Sequence, residues 1–228
     1  MLLDIQTLTN ALIVSCQPVK GGPMDRTAMV VGFALAAIDG GAAALRIESV
    51  DYVAAVRAVT NKPIIGLVKR DLDDSAVRIT PWLEGVDALT AAGAAIVAYD
   101  ATLRPRPVRT KALVERIRSH GRVAMADCSV VQDAERALAE GAAIVGSTLA
   151  GYTGLVEPTE PDFPLIAAMR KLTPYVVAEG NVRTPAQAQQ ALATGASMVV
   201  VGAAITRPEY VTSWFRAALD EALATAGA

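Results

Sequence analysis

The chain has 228 residues, 53% of them hydrophobic and only 4% aromatic, and carries a formal net charge of −2 at pH 7. This composition excludes a disordered chain and suits parallel strands covered by alanine-rich helices, in one large domain or two small ones. Charges of both signs are scattered, so no basic stripe offers nucleic acid a counterion-releasing surface.

The N-terminus, MLLDIQTLTNALIVSC, has Asp4 and no basic leader before its apolar run, which is too short to span a bilayer; a cytoplasmic protein is expected. Cys16 and Cys128 form neither a disulfide framework nor a metal spacing and read as small buried thiols of a reducing compartment.

Short apolar runs then recur along the chain: ALIVSCQ (11–17), AAALRIE (42–48), PIIGLVK (63–69), AAIVAYD (94–100), RVAMADC (122–128), AIVGST (143–148), YVVAEG (175–180) and MVVVGAA (198–204). The segments between them are alanine-rich with helical spacing, and several open on a Ser, Thr or Asp cap or on proline. Gly41, Gly93, Gly141 and Gly195 each stand just before a strand, roughly 50 residues apart, which is two βα units. Eight strands alternating with helices and no linker between halves predict a closed (β/α)8 barrel, a single domain over residues 1–228.

Nearly every strand ends on a polar or small residue: Gln17, Arg46 with Glu48, Lys69 with Arg70, Asp100, Asp127, Ser147 with Thr148, Glu179 and Gly202. In such barrels these ends share the rim that carries the active site. Lys69 sits beside Arg70 at the mouth, where a like charge and desolvation both lower a lysine pKa towards proton-transfer range. It can serve as base, acid or Schiff-base nucleophile, or be paired structurally with Asp71, Asp100 or Glu179.

Asp127 in MADCS and Glu179 in VVAEG complete a candidate proton-transfer set. The lone histidine, His120, falls at the opposite end of the strand and reads as a helix-end residue, so neither a His-based triad nor a His-rich metal site is expected. The turns EGNVRTP and VVVGAAITRPEY follow strands seven and eight, where backbone N–H groups, with Arg207 adding charge, suit a phosphate.

Taken in order, the segments LIVSCQ, PIIGLVKRD with ITP, AYDATLRPRP, ADCS, GAAIVGSTLAGYT, VVAEGNVRTP and VVVGAAITRPE closely resemble those of bacterial N-acetylmannosamine-6-phosphate 2-epimerases. The resemblance runs from about residue 11 to 210, and the combination of KRD, DATxRxRP and GxxITRP is its specific part. It implies an enzyme of amino-sugar and sialic acid catabolism that needs no cofactor or metal and works as a homodimer on a small amino-sugar phosphate. It also implies that Lys69 and Glu179 transfer protons, that Gln17, Arg46 and Asp127 line the sugar site, and that Asn181, Gly202 and Arg207 contact phosphate.

The chain departs from the family pattern at Glu48, where an asparagine is expected, and in the compact segment CQPVKGGPMDR. The chemistry expected is removal and return of the C2 proton of the open-chain sugar by Lys69 and Glu179 on opposite faces, with donors such as Arg46 on the enolate oxygen. Two rivals stand beside it: a Schiff-base aldolase or synthase using Lys69, and a non-catalytic sugar-phosphate sensor. The amphipathic segment YVTSWFRAALDEALATAG, with Trp214 and Phe215, fits either closure of the barrel's helix ring or a dimer interface.

Overall fold

The computed structural model describes residues 3–154 and 158–226; of the expected domain 1–228, residues 1–2, 155–157 and 227–228 lie outside the described residues. Eight parallel strands close in chain order into a barrel, β1 pairing back onto β8. They are β1 (Ala11–Cys16), β2 (Ala44–Glu48), β3 (Ile64–Leu67), β4 (Ile96–Asp100), β5 (Val123–Asp127), β6 (Ile144–Gly146), β7 (Val176–Ala178) and β8 (Met198–Val201). Each lies inside one of the eight apolar runs, and the fold is the (β/α)8 barrel expected from them.

The covering helices are α1 (Thr27–Asp39), α2 (Val50–Arg57), α3 (Leu83–Ala91), α4 (Thr110–Ser119), α5 (Val131–Glu140), α6 (Phe163–Arg170) and α7 (Pro185–Thr194). A single turn, α8 (Ala203–Thr206), and a long helix, α9 (Pro208–Ala226), end the described chain. Local chemistry sets several boundaries. Thr184 caps α7 by accepting from the Gln187 N–H while Gln187 reaches back to the Thr184 N–H, with Pro185 at the first helical position. The four repeat glycines all have positive φ, from 99° to 117°, so each reverses the chain out of a helix in a conformation that glycine adopts at least cost.

Alternation along the strands splits the core into two shells. Ile13, Ala44, Ile65, Leu67, Ile96, Met125, Ile144, Val177 and Val200 fill the barrel, and a 3₁₀ turn at Ile5–Leu8 plugs its N-terminal end with Leu8. Val14, Leu45, Ile64, Val97, Tyr99, Val145 and Val199 face outward against the helices. Gly66 also faces outward: a Cβ there would stand 2.8 Å from the Ala94 Cβ and 3.1 Å from Leu89 Cδ2, so its small size lets α3 and the turn after it close on β3.

Cys16 and Cys128 are free and buried, and burial pushes the Cys16 thiol up to about 12, away from reactive thiolate. His120 ends α4 and bonds Asp87 of α3 at 2.7 Å, remote from the barrel mouth. The last helix does not complete the ring. α9 leaves Phe215 71%, Leu219 57% and Leu223 68% exposed, while an apolar groove of about 450 Å³ lies open over β1 and β8, lined by Leu12, Ala188, Leu192, Val199, Val201 and Ile205. Among the described residues, no helix is long and apolar enough to cross a membrane.

Candidate active site

The same alternation decides which strand-end residues reach the mouth. On β3, Ile65 and Leu67 belong to the barrel interior, so Lys69 two residues on points into the mouth, whereas Arg70 is exposed and its N–H donates to the Arg78 carbonyl at 3.0 Å. On β2 the inward series is Ala44, Arg46, Glu48; on β5, Met125, Asp127; on β7, Val177, Glu179. The chain after β3 folds back as a hairpin, with Lys69 bridged to Ile79, and wedges Ile79 and Thr80 between β3 and β4. Thr80 holds φ 45°, and its hydroxyl donates to the Ala98 carbonyl at 2.6 Å.

Arg46 is the organising cation, 1% exposed in the floor of the mouth. Its Nη2 donates to Asp127 Oδ2 at 2.7 Å, and its Nε lies 3.1 Å from Glu179 Oε1 as an ion pair without hydrogen-bond alignment. Thr148 Oγ1 lies 2.7 Å from Asp127 Oδ1 and 3.2 Å from Glu179 Oε2. Ser147 clips the end of β6 to β7, its Oγ donating to the Glu179 carbonyl at 2.8 Å and accepting the Glu179 N–H at 3.1 Å. Arg104 and Arg106 hold Asp100 at 2.6 and 3.1 Å.

Two groups titrate close to neutrality. Burial pushes Glu179 up to about 7 against the pull of Arg46, with the Asp127 charge adding to the rise. Burial brings Lys69 down from 10.5 to about 8, reinforced by Arg207 and Arg46 and opposed by Glu48 and Glu179. Among the described residues, no carboxylate lies within ion-pairing distance of the Lys69 ammonium. A proton donor and a proton acceptor of closely matched strength therefore share one mouth.

That mouth is a pocket of about 530 Å³. Gln17, Arg46, Lys69, Glu179, Asn181, Gly202 and Arg207 all line it; Asp127 does not, because Arg46 and Thr148 occupy its two oxygens beneath the floor. Asn181 follows Gly180 in a turn where both have positive φ, 55° and 109°. Arg207 is fixed by donating from Nε to the Gln17 carbonyl at 2.7 Å.

Sequence reasoning assigned neither Ser15, Arg183 and Tyr210 nor Trp214 to the site, and all four line the pocket; Trp214 was read only as part of an amphipathic helix face. Ser15 is two residues beyond inward Ile13 and was legible by period. Arg183 lies 4.9 Å from the Trp214 ring, and Arg207 5.5 Å from that of Tyr210, so the first turns of α9 wall the pocket on the side of the β7 and β8 loops. Among the described residues, no three His, Cys, Asp or Glu side chains gather into a metal-binding group.

An eight-stranded parallel barrel with ionisable groups at the C-terminal ends of its strands is a (β/α)8 barrel enzyme. Residues 30–221 match the NanE family profile, described as "Putative N-acetylmannosamine-6-phosphate epimerase", and the chain belongs to that family. A relative from Edwardsiella ictaluri, "Putative N-acetylmannosamine-6-phosphate 2-epimerase", is 54% identical over 92% of this chain and 89% of its own length. The "Bifunctional enzyme NanE/NanK" of Brucella melitensis is 52% identical over 96% of this chain, which spans 42% of that relative. The solved N-acetylmannosamine-6-phosphate 2-epimerase of Clostridium perfringens superposes with a TM-score of 0.90 at 38% identity, over 93% of this chain and 94% of that one.

Proposed function

We propose that the chain interconverts N-acetylmannosamine 6-phosphate and N-acetylglucosamine 6-phosphate by moving the proton at C2 of the open-chain sugar. Family membership supplies the substrate, and one observation carries the mechanism: Lys69 and Glu179 open onto the same pocket with pKa values of about 8 and about 7. An aldehyde at C1 makes the C2 hydrogen acidic. Lys69 and Glu179 take and return that proton, and when the pair holds one proton one member is a base while the other is an acid.

Arg46 fixes Asp127 and Glu179 from below and sets a positive field where enolate charge develops. Gln17 lines the sugar end. Asn181, Gly202 and Arg207, joined by Arg183, receive the phosphate, whose binding energy holds C2 between the two proton-transfer groups.

A homodimer belongs to the same proposal. The stripe Phe215, Leu219 and Leu223 on α9 and the open groove over β1 and β8 are both apolar, and each suits the other on a second copy of the chain. Residues 1–228 are read as one barrel domain of a cytoplasmic protein, a reading that its free, buried cysteines support.

The test is proton NMR of the purified protein with N-acetylmannosamine 6-phosphate, without added metal or nucleotide. Appearance of the glucosamine epimer is expected; an unchanged substrate beside an active control enzyme would contradict the assignment. A mass increase on borohydride treatment with substrate would replace it with Schiff-base chemistry.

A further inference from the structure

We infer that Thr148 is a positioning residue that stabilises the protonated form of Glu179 by committing its own hydroxyl proton to Asp127. The inference rests on the proposed proton-transfer role of Glu179. A threonine hydroxyl carries one proton, and Thr148 Oγ1 faces two carboxyl groups, Asp127 Oδ1 at 2.7 Å and Glu179 Oε2 at 3.2 Å. The shorter contact takes the proton. Asp127 is 0% exposed and its other oxygen accepts from Arg46 at 2.7 Å, so Thr148 is the donor that satisfies Oδ1.

When Glu179 is ionised, its Oε2 then meets only a lone pair on Thr148. When Glu179 is protonated, its O–H donates to Thr148, Thr148 donates to Asp127, and the chain of hydrogen bonds ends on the carboxylate pinned by Arg46. Ser147 keeps this geometry by bonding both backbone groups of Glu179, so the adjacent residues of the Ser-Thr pair hold its main chain and its carboxyl group.

The other charges facing Glu179 are Arg46 from β2, Lys69 from β3 and Asp127 from β5. Burial already carries Glu179 up to about 7. A Thr148 hydroxyl donated to Glu179 would lower that value, whereas a hydroxyl committed to the nearer Asp127 Oδ1 leaves Glu179 facing a lone pair and acts with burial.

The test compares wild type, Thr148→Ser and Thr148→Val in two readouts. The first is the pH dependence of kcat/KM for exchange of the C2 proton of N-acetylmannosamine 6-phosphate. The second is carbon-13 NMR titration of the Glu179 carboxyl group in the free enzyme, which needs no turnover. Thr148→Val is expected to move the acid limb and the Glu179 titration down by about one pH unit, the size of one lost buried hydrogen bond. The alkaline limb should stay in place and Thr148→Ser should match wild type.

A Glu179 titration that is unmoved or raised in Thr148→Val would overturn the inference. Thr148→Ala, which removes the hydroxyl without adding a methyl group, repeats the titration if the valine variant does not fold. Wild type without exchange at any pH would contradict the epimerase reading alone, because the carbon-13 titration still decides the role of Thr148.

Discussion

Glu179 and Lys69 titrate at pH values displaced from those of the unfolded chain, and this has consequences for both stability and rate. Burial raises Glu179 to about 7, so between its ordinary value of 4.5 and about 7 the folded chain keeps a proton that the unfolded chain has lost. Stability falls as pH rises through that window. Lys69 acts in the opposite sense: from about 8 to 10.5 the unfolded chain holds the extra proton, and its contribution to stability recovers as pH rises. Glu179→Gln is therefore expected to raise unfolding free energy on the order of 2 kcal/mol at pH 8 and hardly at all at pH 4, measured by urea unfolding.

The rate follows the same pair. With both groups protonated no base remains, and with both deprotonated no acid remains, so kcat/KM should peak narrowly between about 7 and about 8, the two limbs belonging to the coupled pair. The orientation of Lys69 was readable from the sequence, because Ile65, Leu67 and Lys69 share one face of a strand and Arg70 has the other. The position of Asp127 beneath the floor was not. Whether an acid at a strand end meets substrate or a neighbour depends on Arg46 and Thr148, which approach from two other strands.

At the scale of elements, the eight strands and the glycines that end helices were legible because short continuous apolar runs and positive-φ turns are local demands on sequence. The hairpin after β3 was not. Ile79 and Thr80 enter the sheet through a few backbone bonds, a contribution too short to show periodicity. Gly66 was read only as part of an apolar run, yet it fixes how closely α3 and the turn after it approach. Gly66→Val would place side-chain atoms where Ala94 and Leu89 already stand and should cost about 1–3 kcal/mol. For a chain of this size that lowers Tm by roughly 2–4 °C for each kcal/mol, measurable by thermal unfolding.

At the scale of the whole molecule, α9 joins two functions: Tyr210 and Trp214 wall the pocket, while Phe215, Leu219 and Leu223 leave an apolar face exposed. An amphipathic pattern states that a helix buries one face, not whether the surface that covers it belongs to the same chain, so the sequence left ring closure and dimerisation equally open. Phe215→Asp with Leu219→Asp should convert the proposed dimer into a monomer of half the mass by light scattering. A mass unchanged by these substitutions would remove α9 from the interface.

The barrel, its polar mouth and its family membership support the proposed proton transfer at C2 by Lys69 and Glu179. The most direct measurement is proton NMR in deuterated water of N-acetylmannosamine 6-phosphate with wild type and with Lys69→Ala, each shown to be folded by circular dichroism. Wild type should replace the C2 proton with deuterium as the epimer forms, and Lys69→Ala should lose that exchange by at least about 10²-fold. Exchange at the wild-type rate without Lys69 would contradict the mechanism.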